Sequence, residues 1–322
     1  MHRHFLDLFD ISREEALGLL DLADRLKRDD SEGHRPQLLP GRILGLIFEK
    51  PSLRTRVSFE AAMARLGGNA LFLQGKDVGL GVRESVSDFA RVISQYVDAI
   101  AIRTFSHETI VELARHATIP IINALSDAAH PCQAMADLMT IREERGRLDG
   151  LKLAFVGDGN NVAMSLAVAS ALAGLEFVLA CPPGYEFPDD FRGRFAAAFP
   201  GVALRVEHNP RSAATDADVI YTDVWASMGQ EDEVEARGKV FAPYQVDRDL
   251  LNLGSPGVIF LHCLPAHRGE EVTAEVLDHP RSRIIPQAAN RLHFQKALLF
   301  WLLSEDNVEV NGRPISSHAS VR

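Results

Sequence analysis

Short apolar runs alternate with longer stretches of helical spacing along almost the whole chain. RILGLIFE (42–49), NALFL (69–73), DAIAIR (98–103) and IPIIN (119–123) are too short for buried helices, so each predicts a buried strand. The pattern resumes with LKLAFVG (151–157), LEFVLA (175–180), VALRVE (202–207), DVIYTD (218–223), VIFLHC (258–263) and RIIP (283–286). Amphipathic stretches fill the gaps. Ser12 and Glu15 form a capping-box pattern before a first helix that carries Leu17, Leu20, Ala23 and Leu26 on one side. A long helix is expected over about 131–144 and a last one over about 288–303. Strand–helix alternation of this kind predicts an α/β fold of doubly wound parallel sheets with helices on both faces. A break falls at REERGRLDG (142–150), which is charged and carries two glycines. The tail from Ser304 is polar and expected to be loose at its end.

The length of 322 residues fits two domains, and 46% hydrophobic with 24% charged residues is a globular profile. No run of 18 apolar residues occurs, so no membrane-spanning helix is expected. The first ten residues, MHRHFLDLFD, lack an apolar leader core, and a cytoplasmic location follows as the default. Three cysteines, Cys132, Cys181 and Cys263, form no CxxC pair, which argues against a disulfide framework or a zinc site. The formal net charge of -10 argues against nucleic acid as a partner. Any anionic ligand must therefore be drawn by local cations.

One stretch supplies them. EKPSLRTRVSFE (49–60) places Lys50, Ser52, Arg54, Thr55 and Arg56 between a strand and a helix. Backbone N–H groups at a helix N-terminus are unpaired and partly positive, and Arg54 adds a planar fork suited to phosphate oxygens. The competing reading is a capped helix with a basic first turn, which the helix dipole disfavours. Arg103 closes the strand DAIAIR, where alone it reads as a side chain reaching solvent. His130 and Gln133 follow the next strand, with Pro131 at a helix start. An imidazole and an amide there can bind a small polar carbonyl compound or simply cap the helix. If the sheet is parallel, Arg54, Arg103 and His130 converge.

In the second half, GDGNNV (157–162) resembles a dinucleotide turn but has Val162 for the third glycine. The next strand, LEFVLACPP, does not end in the acid that would hold a ribose. Asn160 and Asn161 there can cap the helix or offer amides to a ligand. Asp223 at a strand end can hold an amine, with Ser227 close behind it. Cys263 ends another strand, where a buried thiol is the ordinary reading. Arg291 lies near the start of the last helix, where a solvated side chain is the default.

Together these motifs resemble the aspartate/ornithine carbamoyltransferase family, over nearly the whole chain and in family order. S-x-R-T-R appears as Ser52 to Arg56, H-P-x-Q as His130 to Gln133, D-x-x-x-S-M-G as Asp223 to Gly229, and H-C-L-P as His262 to Pro265. The last two mark the ornithine branch. The resemblance implies two doubly wound parallel-sheet domains joined by interdomain helices, with the active site in the cleft. Residues 1–145 would bind carbamoyl phosphate, with a C-terminal helix, 288–322, packing back on that domain, and 146–287 would bind ornithine.

The implied reaction moves the carbamoyl group of carbamoyl phosphate to the side-chain amine of ornithine, giving citrulline and phosphate. Anabolic and catabolic members share these motifs. Ser52, Leu53, Arg54, Thr55, Arg103, His130, Gln133, Cys263, Leu264 and Arg291 would hold carbamoyl phosphate. Asn161, Asp223, Ser227 and Met228 would hold ornithine. Arg103, His130, Cys263 and Asp223 would carry the catalysis. No metal and no cofactor is implied, and a homotrimer or a multiple of it is. Three positions depart from the family pattern. Leu53 replaces a usual hydroxyl. Gly79, in the loop 75–85 that members lend to a neighbouring subunit, replaces a common Gln or His. Ala289 replaces the Glu of A-E-N-R. The alternatives are the same chemistry on N-acetylornithine or putrescine, a nicotinamide-dependent dehydrogenase, and a non-catalytic relative.

Overall fold

Nine of the ten expected strands form, and they make two separate parallel sheets. The computed structural model describes residues 3–80, 83–226, 231–304, 308–310 and 313–315. The chain divides into two compact units, Met1–Met135 with Arg291–Arg322, and Ala136–Asn290. Both divisions fall inside helices, Pro131–Arg145 and Ile284–Leu303.

In the first unit β1 (Ile43–Phe48), β2 (Asn69–Gln74), β3 (Ala99–Arg103) and β4 (Ile121–Leu125) pair in the order β2-β1-β3-β4. A sheet packed on both faces needs apolar side chains pointing both ways, which is why these runs are continuous rather than alternating. Ile47, Ile100, Ile102 and Ile121 pack with Phe89, Ile110 and Leu113 in one core cluster. β2 is an edge strand and is only partly buried. Ser12 caps the first helix, Arg13–Ser31, in the expected reciprocal capping box with Glu15. That helix is tied to the last long helix, Ile284–Leu303: Lys296 Nζ lies 2.8 Å from Asp30 Oδ1, and Arg65 also reaches Asp30. Phe5 packs on Phe294, and the Arg3 guanidinium lies over the Trp301 ring.

In the second unit β5 (Lys152–Val156), β6 (Glu176–Ala180), β7 (Arg205–Glu207), β8 (Val219–Thr222) and β9 (Ile259–His262) pair in the order β7-β6-β5-β8-β9. Val156, Val178, Ile220 and Phe260 form its core with Phe241, Leu251 and Val276. The strand expected at RIIP does not form. The last long helix begins there, at Ile284, and runs to Leu303. Pro286 stands in its first turn, where a missing N–H costs nothing. The tail contains two short paired strands, Val308–Val310 and Arg313–Ile315, and its end, expected to be loose, lies outside the described residues.

Register decides where chemistry sits. Phe48, Arg103 and Leu125 are aligned across β1, β3 and β4, so the segments that follow leave from one edge of the first sheet. Val156, Thr222 and His262 are aligned across β5, β8 and β9, so Gly157, Asp223 and Cys263 leave from one edge of the second.

Candidate active-site residues

At the first edge, Ser52 takes the N-cap of helix Leu53–Arg65. Its hydroxyl donates to Thr55 Oγ1 at 3.0 Å and accepts the Thr55 N–H at 3.4 Å. Leu53 is 78% exposed, so its contribution to an anion is its backbone N–H. Arg54 is exposed in the same turn. Arg56 is engaged elsewhere: Nε donates to Glu60 at 2.9 Å and the guanidinium lies over the Phe72 ring. Lys50 is buried, with its ammonium 4.2 Å from the centre of the Phe105 ring. Of the cations in this stretch, Arg56 is half-exposed but engaged with Glu60 and Phe72, and Arg54 is the most exposed. The Thr104 hydroxyl donates to the Glu49 carboxylate and ties the ends of β3 and β1 together.

Two readings change here. Arg103 does not reach solvent; it is buried at the end of β3. Arg291 is not solvated either, at 4% exposure. Its guanidinium donates to Thr55 Oγ1 at 2.8 Å and to Gln133 Oε1 at 3.1 Å. His130 is buried, and its imidazole is held well below the ordinary histidine range by burial and then by Arg291 and Arg103. A ring kept neutral beside two guanidinium groups can donate a hydrogen bond without becoming an acid. Cys132 is inert: burial pushes its thiol up to about 12. Thr55, Arg103, His130, Gln133 and Arg291 are thus brought into one buried, cationic cluster below the exposed Arg54.

The second edge carries the opposite sign. Asp223 follows β8 and is almost wholly buried. Its Oδ1 accepts from the Cys263 thiol at 2.9 Å and from the Val224 N–H at 2.9 Å. Its Oδ2 accepts from Asn160 Nδ2 at 3.0 Å. Asn160 uses its other end to cap helix Asn161–Ala173, its Oδ1 accepting the N–H groups of Val162 and Ala163 at 3.0 Å. Asn160, expected either to cap the helix or to offer its amide to a ligand, caps the helix and turns its amide to the Asp223 carboxylate. Asn161 occupies the first turn of that helix. Ser227 and Met228 lie outside the described residues. Asp158, raised by burial with the Asp223 charge adding to the effect, is paired to Arg237 at 2.7 Å.

The glycine turn that resembled a dinucleotide site has a packing explanation. A Cβ on Gly159 would sit 2.8 Å from the Glu186 carbonyl carbon, so the residue is small because backbone passes it. Gly79 lies at φ +60, where a side chain is strained, and its Cβ would meet Arg83 at 2.7 Å. Ala289 is exposed on its helix. Among the described residues, two groups of donors lie close enough to share a metal ion: Asp223 with His262 and Cys263, and His267 with Glu270 and Glu271. Asp223, His262, Cys263 and Glu271 are already hydrogen-bonded within the unit, so an ion would have to displace those bonds.

Comparisons with known proteins agree with the geometry. A profile of the aspartate/ornithine carbamoyltransferase carbamoyl-P binding domain matches residues 3–143, and one of the Asp/Orn binding domain matches 149–302. An ornithine carbamoyltransferase of Anoxybacillus flavithermus is 54% identical, covering 94% of this chain and 96% of that protein. An anabolic ornithine carbamoyltransferase of Pyrococcus furiosus is 52% identical over 92% of this chain and 95% of that protein. The solved structure of the ornithine carbamoyltransferase from Pyrococcus furiosus superposes with a TM-score of 0.89 at 50% identity, covering 92% of this chain and 96% of that one.

Proposed function

Because the chain belongs to the aspartate/ornithine carbamoyltransferase family, we propose that it transfers the carbamoyl group of carbamoyl phosphate to the side-chain amine of L-ornithine. The amine nitrogen forms a bond to the carbamoyl carbon, the carbon–oxygen bond to phosphate breaks, and the amine proton leaves with phosphate. Citrulline and phosphate are the products. The strong likeness to an anabolic relative favours arginine biosynthesis.

Each unit supplies one half of the chemistry. In the first, Ser52, Leu53, Arg54 and Thr55 hold the phosphate at the helix N-terminus, with Arg103 beside it. Neutral His130 and Thr55 donate to the carbamoyl oxygen and stabilise the charge that grows there. Gln133 and Arg291 complete that pocket. In the second, Asp223 and Cys263 orient the side-chain amine, and Asn161, Ser227 and Met228 hold the amino-acid end. The amine must be neutral to attack, although its free pKa is near that of lysine, about 10.4. Positioning and fixed dipoles supply most of the rate, as no covalent intermediate is needed.

The observation that carries this reading is the neutral His130 set beside Arg103 and Arg291, with Arg291 holding both Thr55 and Gln133. That set polarises a carbonyl next to a bound anion. The test is citrulline formation by purified protein, with N-acetylornithine and putrescine as competing amines. Binding of carbamoyl phosphate without citrulline would sink the proposal, and faster turnover of another amine would reassign the acceptor. We also propose a homotrimer or a multiple of it. The edge strand β2 and the exposed apolar side chains Leu53, Val57 and Leu71 support it, and light scattering decides it. A cytoplasmic location completes the reading. Among the described residues no helix is long and apolar enough to cross a membrane.

A further inference from the structure

The turn after β9 is held by groups that touch no substrate in the reaction above. His262, the last residue of β9, and Glu271 both have side chains with 0% exposure. His262 Nε2 lies 3.0 Å from Glu271 Oε1, and the Leu264 backbone nitrogen lies 2.9 Å from His262 Nδ1. A backbone N–H can only donate, so Nδ1 is bare and the ring proton sits on Nε2, where Glu271 accepts it. Glu271 Oε1 also accepts the His267 N–H at 2.6 Å. The His262 N–H donates to Gln287 Oε1 at 2.9 Å, and the Gln287 amide donates to Asp137 and to the Tyr221 hydroxyl. Leu264 itself has φ +61, a left-handed conformation that a leucine keeps only when its surroundings impose it.

We propose that Glu271 and His262 are positioning residues for the transfer reaction: Glu271 fixes the imidazole tautomer, the bare Nδ1 holds the Leu264 N–H, and the turn so held aims the Cys263 thiol at Asp223. The inference rests on the assignment of Cys263 and Asp223 to the substrate amine. Neither His262 nor Glu271 needs to touch substrate. Their role is to keep a strained turn in one conformation, so that the 2.9 Å thiol–carboxylate contact exists before ornithine arrives.

The two ring nitrogens can be separated by substitution. His262→Asn puts an amide oxygen close to the place of Nδ1 and keeps an acceptor for Leu264. His262→Gln reaches toward Glu271 and leaves the Leu264 N–H without one. Glu271→Gln keeps a carbonyl acceptor for the ring, and Glu271→Leu removes it. His262→Gln and Glu271→Leu should lose kcat/KM for ornithine by on the order of a hundredfold, while His262→Asn and Glu271→Gln stay within about fivefold of the unsubstituted protein. Losses that follow Tm across all four variants, regardless of the acceptor kept, would overturn the proposal.

A second measurement needs no variant to be active. Nitrogen-15 spectra of histidine-labelled protein, with His262→Asn to identify the resonance, read the tautomer directly. A proton on Nε2 supports the inference; a proton on Nδ1 overturns it. These spectra stand even if the unsubstituted protein makes no citrulline, so failure of the functional reading and failure of the positioning inference are told apart.

Discussion

The two strand-edge clusters solve opposite electrostatic problems by the same means. In the first unit a guanidinium group donates to two neutral partners: Arg291 reaches a hydroxyl and an amide oxygen. In the second a carboxylate is held by neutral partners: Asp223 accepts from an amide, a thiol and a backbone N–H. Elsewhere in both units charges are matched, as in Lys296 with Asp30 and Arg145 with Asp218. A structural ion pair cancels its own field, and a group held by neutral donors or acceptors keeps its charge for a ligand.

The contrast can be broken on its negative side first. Asp223→Asn keeps the shape and removes the charge. We expect kcat/KM for ornithine to fall by on the order of a thousandfold while carbamoyl phosphate affinity, read by calorimetry, is unchanged. On the positive side, Arg54→Ala should weaken carbamoyl phosphate by on the order of thirtyfold and leave Tm in place, because Arg54 is exposed. An unchanged affinity would remove Arg54 from the site. Acid should also act on the first unit. His293 there is pushed down to about 4 by burial and by Lys27 and Lys296. Its folded ring refuses a proton that the unfolded chain takes below the ordinary value of 6.5, so its stabilisation is full above that pH and is lost as pH falls toward 4. The effect is about 3 kcal/mol at most, and His293→Gln should flatten that limb of a Tm-against-pH curve. The smallest effect sharpens the comparison. Asn160→Ala removes a helix cap and the donor on Asp223 together, so about 1 kcal/mol of stability should go, with a rise in KM for ornithine but not for carbamoyl phosphate.

Local pattern carried the two sheets because strands buried on both faces are short, apolar and sharply bounded. It failed at RIIP, where an apolar run before a helix imitates a strand and only the tolerance of a first turn for Pro286 distinguishes them. The motif residues Ser52, Thr55, His130 and Gln133 were legible because helix starts after strands are marked in sequence. Arg291 was legible as a motif match but not as a buried group, since its partner Thr55 lies 236 residues away. Asn160 showed as a cap, but its second bond to Asp223 spans 63 residues and leaves no local trace. The pairing of His262 with Glu271 lies within one short segment, yet nothing in that segment says that both side chains turn inward.

The first unit is made of two pieces of chain and the second of one. During synthesis the second unit is complete in sequence when the ribosome has passed Asn290. The first must wait for Arg291, Phe294, Lys296 and Trp301, although most of it was made before the second began. The contacts of the unit that leaves the ribosome first can therefore be completed only after the whole of the second unit has been made. Until the last long helix emerges, Asp30 lacks Lys296, Thr55 lacks Arg291 and Phe5 lacks Phe294, so the earliest-made segments wait as a nascent chain for partners made near the close of translation.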